Sequence, residues 1–550
     1  MTKTSALSLG KPRFEDGDLA TITTRDGDLA AWRQAYTRYG TRAPEHVAND
    51  FAVAFDTASG GTFLAVDRFA IQTLCYRVDG DSLRFAPRAD ELGATELDPQ
   101  AIFDYLYFHV IPSPRTVFKG VFRLPPGHFA LFENGQLTVA PYWRPRFSEE
   151  CREPFSSLRD EFLQVVQEAV ASRVEEGRTG CYLSGGTDSS TVAGMVTKIT
   201  GRPAETFSIG FDVSGYDEME YAHIASRHFG TKHHEYYVTP DDLVTGMPQV
   251  AASYDQPFGN SSAVPAYYCA RMAKQEGIDK LLAGDGGDEL FGGNARYAKQ
   301  RAFGIYDHVP EILRRGLIEP SLADSSLFDH VPLLKKGASY VRQARLPMPD
   351  RMQTYNLLMR MGLDQVFTPD FLARIDAAEP ERHQREVYGA CPADASLVNK
   401  MLAYDWRYTL AESDLPKVIG SAKLADVAVG FPLLDDSVLD FSLKLPTSYK
   451  LKGLKLRWFF KEALRGFLPD EIIAKKKHGF GLPFGPWAVN HAPLNKLATD
   501  ALHGLADRNI IGRDFVNTLL KEHLLQHPGF YGELVWIMTM LELWLQTRNM

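Results

Sequence analysis

Residues 180 to 283 constrain the chain most, because short apolar runs alternate there with helical segments and each glycine-rich turn directly follows a run. The pattern predicts strands at 181–183, 205–211, 234–238 and 280–283, with helices at 189–198, 218–229 and 265–276 between them. Such alternation specifies a parallel sheet with helices on both faces, whose ligands bind beyond the carboxyl ends of the strands. Two motifs fall there: Leu183-Ser184-Gly185-Gly186-Thr187-Asp188-Ser189-Ser190 and Gly284-Asp285-Gly286-Gly287-Asp288-Glu289. The first is not a Walker A loop, since no lysine follows Gly186 before Lys198. A strand that ends at Leu183 and turns through two glycines into a helix still offers backbone N–H groups and a helix N-terminus to an anion such as phosphate or pyrophosphate. Asp188 at the same mouth would repel that anion unless a cation lay between them, which predicts Mg²⁺ on the phosphates.

The flanking regions read differently. Residues 51 to 143 carry short alternating runs (FAVAFD, TFLAVD, TLCYRV, SLRFAP, GHFALFE), each closed or soon followed by Gly, Asp or Pro, which is the pattern of an antiparallel β domain. From about 155 the period becomes helical, with Leu158, Phe162, Val165, Val166 and Ala169 on one face, and residues 300 to 550 read as mostly helical. The fold class is therefore α/β and α+β, with domains at 1–150 and 151–550 in a chain of 550 residues. A net charge of −9 argues against a general nucleic-acid or anionic-membrane binder. Five scattered cysteines without a C-x-x-C pair read as reduced thiols, and the absence of an apolar leader gives a cytoplasmic expectation. The apolar stretch Leu534 to Leu545 is too short for a membrane span and contains Glu542.

Taken in order, LSGGTDSS, FSIGF with FGTKHHE, DQPFGNSSAVP, GDGGDELFGGNARY, FPLLD and KKKHGFGLP resemble the synthetase domain of the asparagine synthetase family, whose relatives include β-lactam synthetases and lasso-peptide cyclases. The resemblance implies an adenine nucleotide alpha hydrolase-like, pyrophosphatase-loop sheet. It also implies a carboxylate that attacks the α-phosphate of ATP to give an acyl-adenylate and pyrophosphate, after which ammonia or an amine displaces AMP. On that basis Ser184, Gly185, Gly186, Asp188, Ser189, Ser190 and Gly284 bind ATP or pyrophosphate. Leu183 and the strand Phe207 to Phe211, including Ile209, receive the adenine, and Asp188 and Asp288 hold Mg²⁺. Lys477, with Lys476 as the alternative, and Asp285 are the implied catalytic residues. His478 reads as positional, and Ser261 and Ser262 as caps of the helix beginning near Pro265. The implied partners are a small-molecule or peptide carboxylate, ammonia or an amine acceptor, and a partner glutaminase, with the oligomeric state open and a homodimer among the options.

Two departures shape the functional expectation. The family's N-terminal nucleophilic cysteine is replaced by Thr2, and the stretch from Asn49 to Trp143 matches only the latter half of the glutaminase domain, so the N-terminal region reads as a glutaminase-like remnant without glutamine hydrolysis. In K-V-I-G-S-A-K-L-A-D-V-A-V-G-F-P-L-L-D (417–435), Ala428 stands at the family's glutamate and Gly430 at its arginine. That glutamate is linked to the incoming amine's proton, and Glu412, Asp414 and Asp426 are the candidate substitutes. The readings are therefore an ATP-dependent amide-bond synthetase, a β-lactam synthetase or cyclase-like ligase, or a non-catalytic nucleotide-binding descendant.

Overall fold

The computed structural model describes residues 6–175, 178–306, 309–323, 332–354, 356–475 and 481–548. Strand β1 (Ala6–Gly10) is followed by the two-residue β2 (Arg13–Phe14), the helices α1 (Gly17–Asp26) and α2 (Asp28–Tyr39), and β3 (Val47–Ala48), which pairs with β2. Next come β4 (Phe51–Asp56), β5 (Thr62–Val66), β6 (Cys75–Asp79), β7 (Ser82–Ala86), α3 (Pro99–Phe108), β8 (Phe122–Arg123), β9 (His128–Glu133) and β10 (Gln136–Pro141). They form an antiparallel sheet ordered β1-β4-β5-β9-β10 and a smaller antiparallel one ordered β7-β6-β8. Side chains alternate across a strand, so Phe51, Val53 and Phe55 pack on Trp32 and the helices, while Ala52 and Ala54 pack toward Tyr76, Leu83 and Phe85 of the second sheet. The antiparallel region is thus as the alternation predicts. The helical layer of α1 and α2 was not legible, although Asp16 caps α1 by accepting the Asp18 N–H at 2.9 Å.

After α4 (Phe155–Ala171), the chain builds β11 (Thr179–Tyr182), α5 (Thr187–Thr200), β12 (Glu205–Gly210), α6 (Met219–Phe229), β13 (Lys232–Tyr237), α7 (Pro240–Ser253), α8 (Ala263–Gln275), β14 (Lys280–Leu282) and α9 (Gly287–Phe291). A further strand, β15 (Ala428–Gly430), completes a five-stranded sheet ordered β13-β12-β11-β14-β15, parallel throughout. Every predicted strand and helix of 181–283 is present with shifted ends. Three elements were missed: α7, despite the Thr239/Asp242 capping box that opens it, the short α9, and β15, hidden in the segment where the family motif breaks. Ser262 is the N-cap of α8 but its side chain makes no cap hydrogen bond, so the capping expected of it is not seen; Asn260 Oδ1 accepts the Ser262 N–H at 3.0 Å and closes the turn before the helix.

Residues beyond 295 are mostly helical. The final helix, Pro528–Thr547, is buried on all sides from Leu534 to Leu545 and is mostly apolar there, with Tyr105 Oη of α3 donating to Ile537 O at 2.8 Å. Among the described residues no helix is long and apolar enough to cross a membrane. The largest apolar cluster draws Ile102, Tyr105, Leu106 and Val117 into the same core as Phe484, Trp536 and Leu541.

Candidate active site

The β11–α5 turn is held by its own hydroxyls and by the neighbouring helix. Leu183 extends the strand, donating its N–H to Phe207 O at 2.9 Å and accepting the Ser208 hydroxyl. Ser184 N–H donates to Ser189 Oγ at 3.2 Å, and the two hydroxyls lie 3.1 Å apart. Gly185 has φ +66°, and a Cβ there would fall inside the backbone of Tyr221 and Ala222, so only glycine lets this loop rest on α6. Gly186 is the extended N-cap of α5, and its carbonyl accepts the Ser190 N–H at 3.1 Å. The first turn of α5 therefore directs N–H groups at an open mouth. Gly284, after β14, packs so closely on this turn that a Cβ would lie 2.7 Å from Ser189 N. Ile209 is half-buried on β12, while Ser190 is fully buried in α5 and its hydroxyl has no hydrogen-bond partner among the described residues. Ser190 thus sits behind the loop, in the first turn of α5.

The two aspartates expected to share a metal are brought together. Arg457 lies between them. Its Nη1 donates to Asp188 Oδ2 and Asp288 Oδ1 at 2.7 Å each and to Thr187 Oγ1 at 2.9 Å, while Nη2 meets the other Asp188 oxygen. Arg457 is 5% exposed, adopts a left-handed backbone (φ +53°) and lies with its guanidinium 4.0 Å from the centre of the Phe460 ring. Burial works against its charge, but Asp188 and Asp288 outweigh that and hold its pKa above the ordinary arginine range. Convergent carboxylates are the hard oxygen donors that Mg²⁺ accepts alongside nucleotide phosphates, so the donor set fits the metal. Arg457 already supplies positive charge at that point. No motif signalled it.

A second charged cluster stands beside the first. Asp285, the next residue after Gly284, lies 3.4 Å from Lys417 Nζ, which also reaches Asp414 Oδ1 at 3.3 Å. Burial opposes the charge of Lys417, and Asp414 and Asp285 reverse that and raise its pKa; burial raises the pKa of Asp285 against the pull of Lys417. Tyr182, at the end of β11, has a buried hydroxyl with no hydrogen-bond partner among the described residues, and Tyr254 Oη caps the Pro416 carbonyl at 3.1 Å. The sheet thus carries a glycine turn opening a helix, an acidic pair bridged by a guanidinium and a half-buried Asp-Lys-Asp group along its carboxyl edge.

Residues 161–546 match the family model described as asparagine synthase, and residues 19–143 match one described as a glutamine amidotransferase domain. The chain belongs to the asparagine synthase family. The chain is 24% identical over 513 residues to "Asparagine synthetase [glutamine-hydrolyzing] 1" of Bacillus subtilis, covering 90% of this chain and 77% of that one. It is 26% identical over 541 residues to a Mycobacterium tuberculosis protein provisionally named an asparagine synthetase, covering 95% and 80%. The amidase chry2 of Gibberella zeae is 23% identical over 513 residues, covering 85% and 74%. Asparagine synthase family chemistry is ATP-dependent carbon–nitrogen ligation, and this chain is a ligase of that amidotransferase class. The amidotransferase match begins at residue 19, some thirty residues ahead of the Asn49 boundary expected from sequence, because it takes in α1 and α2.

Against the asparagine synthase pattern, the structure separates the residues proposed to stand in for the missing glutamate. Ala428 pairs with Lys280 at the amino end of β14, so it sits several residues, each about 3.3 Å, from Gly284 and the β11–α5 turn. It lines a groove of about 490 Å³ together with Ile71 and Gln72 of the N-terminal region. Gly430 is buried, and the space beside it holds the stem of Arg173, whose guanidinium donates to Asp435 at 2.7 Å. Glu412 is consumed by Ser113, Arg123 and Arg407, and Asp426 is 92% exposed and paired with Lys274. Asp414 alone of the three reaches the cluster of Asp285. Thr2, Lys476, Lys477 and His478 lie outside the described residues. Lys475, just before them, has a side chain 8% exposed, bonds Glu218 at 3.1 Å and lies 4.3 Å from the centre of the Tyr221 ring, on the helix that supports Gly185.

Proposed function

We propose that the protein uses Mg²⁺-ATP to convert a carboxylate to an acyl-adenylate and passes the acyl group to ammonia or an amine, releasing AMP and pyrophosphate. The convergence of Asp188 and Asp288 at the mouth of the β11–α5 turn carries this reading. The turn's N–H groups and the Ser184 and Ser189 hydroxyls would receive the leaving pyrophosphate, where donors aimed at developing charge lower the barrier. Bound Mg²⁺, held by Asp188 and Asp288, would neutralise phosphate charge and orient it for in-line attack. Lys477 is assigned the α-phosphate in the adenylation step; the anchoring of Lys475 against α6 supports this, since the lysine run leaves from a point beside the turn. Asp285 orients Lys417, and this pair with Asp414 is assigned to the acyl or amine side, the place the family glutamate would otherwise serve.

Residues 1–150 are assigned as a glutaminase-like scaffold and 151–550 as the synthetase domain, with nitrogen arriving as ammonia, an amine substrate or the product of a partner glutaminase. A β-lactam synthetase or cyclase-like reaction is the second reading, suggested by the departure of residues 417–435 from the family's usual segment. ATP–pyrophosphate exchange screened over carboxylic acids tests the proposal. Exchange with some acid, with AMP as product and loss in Asp188→Ala and Asp288→Ala variants that remain folded, is the expected outcome. Release of ADP and phosphate overturns it. An amine screen on the same acid then separates ammonia-dependent amide formation from ligation or cyclisation.

A further inference from the structure

On the far edge of the parallel sheet, away from the charged clusters, α6 and β13 bring His223, His233 and Glu235 together, with one ligand atom from each lying within 4.8 Å of the others. His233 and Glu235 are two apart on one strand and share a face; His223 comes from the helix that covers it. His223 Nε2 and Glu235 Oε1 are 2.5 Å apart, and His233 Nε2 is 3.7 Å from the same oxygen, outside hydrogen-bond range. The His233 side chain is 8% exposed, and its Nε2 is buried without a hydrogen-bond partner among the described residues. A buried polar nitrogen left in that state costs stability unless something occupies it.

The hydroxyl chain behind the ring fixes which nitrogen carries the proton. Thr231 Oγ1 donates to Ser226 Oγ at 2.9 Å, so Thr206, 2.9 Å from Thr231, donates to it and has an acceptor lone pair left for His233 Nδ1 at 2.9 Å. Nδ1 therefore carries the hydrogen and Nε2 presents a lone pair toward His223 and Glu235, the outer-shell arrangement that orients a histidine ligand.

We propose that His223, His233 and Glu235 bind a borderline divalent transition ion, with Zn²⁺ the reference case and water completing the site. Two imidazoles and one carboxylate are a donor set that Zn²⁺ takes with an open fourth position. Ligand atoms around Zn²⁺ stand about 3.3 Å apart when bond lengths are near 2.0 to 2.1 Å, and the half-exposed His223 and Glu235 side chains have room to close that spacing. The ion would tie α6 to the sheet edge. Since the α6 backbone at Tyr221 and Ala222 is the surface on which Gly185 rests, it would also stiffen the wall of the nucleotide turn.

The experiment uses the full chain, stripped of metal and free of nucleotide and Mg²⁺. Zn²⁺ is titrated calorimetrically, Co²⁺ is added as a visible-absorption probe, and melting is followed with and without Zn²⁺. One Zn²⁺ per chain, d–d bands of a bound Co²⁺ and a higher Tm with metal are expected. His233→Gln and His223→Gln should each abolish the Co²⁺ bands, and Thr206→Val should weaken binding by about ten- to a hundredfold. Asp188→Ala should bind Zn²⁺ as the parent does, which keeps this result distinct from the fate of the nucleotide-site proposal. Absence of Zn²⁺ binding, or binding unchanged in His223→Gln, would show that His223 and Glu235 form only an ion pair and would overturn the proposal. The surface location of His223 keeps that variant informative even where His233→Gln fails to fold.

Discussion

At the scale of single residues, Arg457 offsets part of the negative charge beside the β11–α5 turn. Arg457, buried between the half-buried Asp188 and Asp288, is the buried partner of the pair, and removing it leaves the two carboxylates facing one another. Breaking one partner of a buried ion pair costs on the order of 3 to 5 kcal/mol, and Arg457→Ala is expected to lose stability on that scale in urea unfolding. If Mg²⁺ takes the same oxygens, as proposed, millimolar Mg²⁺ should raise the Tm of Arg457→Ala more than that of the parent chain. Equal shifts in the two proteins would show that the carboxylate pair is not the metal's seat. Lys450 is a second informative residue. It is fully buried, donates to Asn399 Oδ1 at 3.0 Å, and burial pulls its pKa down to about 7 despite the nearby Glu149. The unfolded lysine, with a pKa of about 10.4, holds a proton over a range where the folded one has lost it. Stability therefore rises with pH between about 7 and 10 and is lowest below that window. In paired melts the parent should gain on Lys450→Met between pH 6.5 and 9.5; a constant difference would remove Lys450 as the source.

At the scale of elements, the βα turn depends on one glycine more than on any hydrogen bond. Gly185→Ala combines a left-handed φ with a Cβ inside the α6 backbone, so the turn or α6 must move, and ATP–pyrophosphate exchange should fall by about a hundredfold or more, as when a positioned transition-state donor is lost. A variant that exchanges normally would mean that the turn does not rest on α6 in solution. The same scale shows what the sequence could reveal. The strands and helices of 181–283 were legible because period, glycine turns and element length agreed. The strand Ala428–Gly430 was not, because three residues are too few to show a period and their burial comes from pairing with Lys280–Leu282, a long-range contact. For the same reason Ala428 was assigned to acceptor chemistry from motif position, while the fold puts it at the opposite end of the sheet. Asp188, Asp285 and Asp288 were found because their motifs are local. Lys417 and Arg457 were not, since their partners lie 132 and 269 residues away in the chain.

At the scale of the whole molecule, the N-terminal layers are fused to the synthetase core through Glu412. This residue is 4% exposed, accepts the Ser113 N–H at 3.1 Å and its hydroxyl at 2.8 Å, binds Arg123 at 2.7 Å and pairs with Arg407. Its own helical run also carries Trp406, which stacks with Trp143 and donates its Nε1–H to Glu289 O at 2.9 Å, beside Asp288. The N-terminal layers and the acidic pair thus share one short stretch of backbone. Glu412→Ala would strand two guanidiniums, Arg123 at 13% and Arg407 at 14% side-chain exposure, in a poorly solvated place, and the expected loss is again on the order of 3 to 5 kcal/mol. If the loss comes from the pair and not from general damage, Arg123→Ala should cost less in the Glu412→Ala background than alone, with a coupling on the order of 0.5 to 3 kcal/mol. The readout that links this to function is adenylation: the double variant, folded but with Arg407 left without its carboxylate partner, should lower the exchange rate without changing ATP affinity, because the junction fixes α9 and not the β11–α5 turn. Additive stability losses with an unchanged exchange rate would show that the N-terminal layers act as an independent shell.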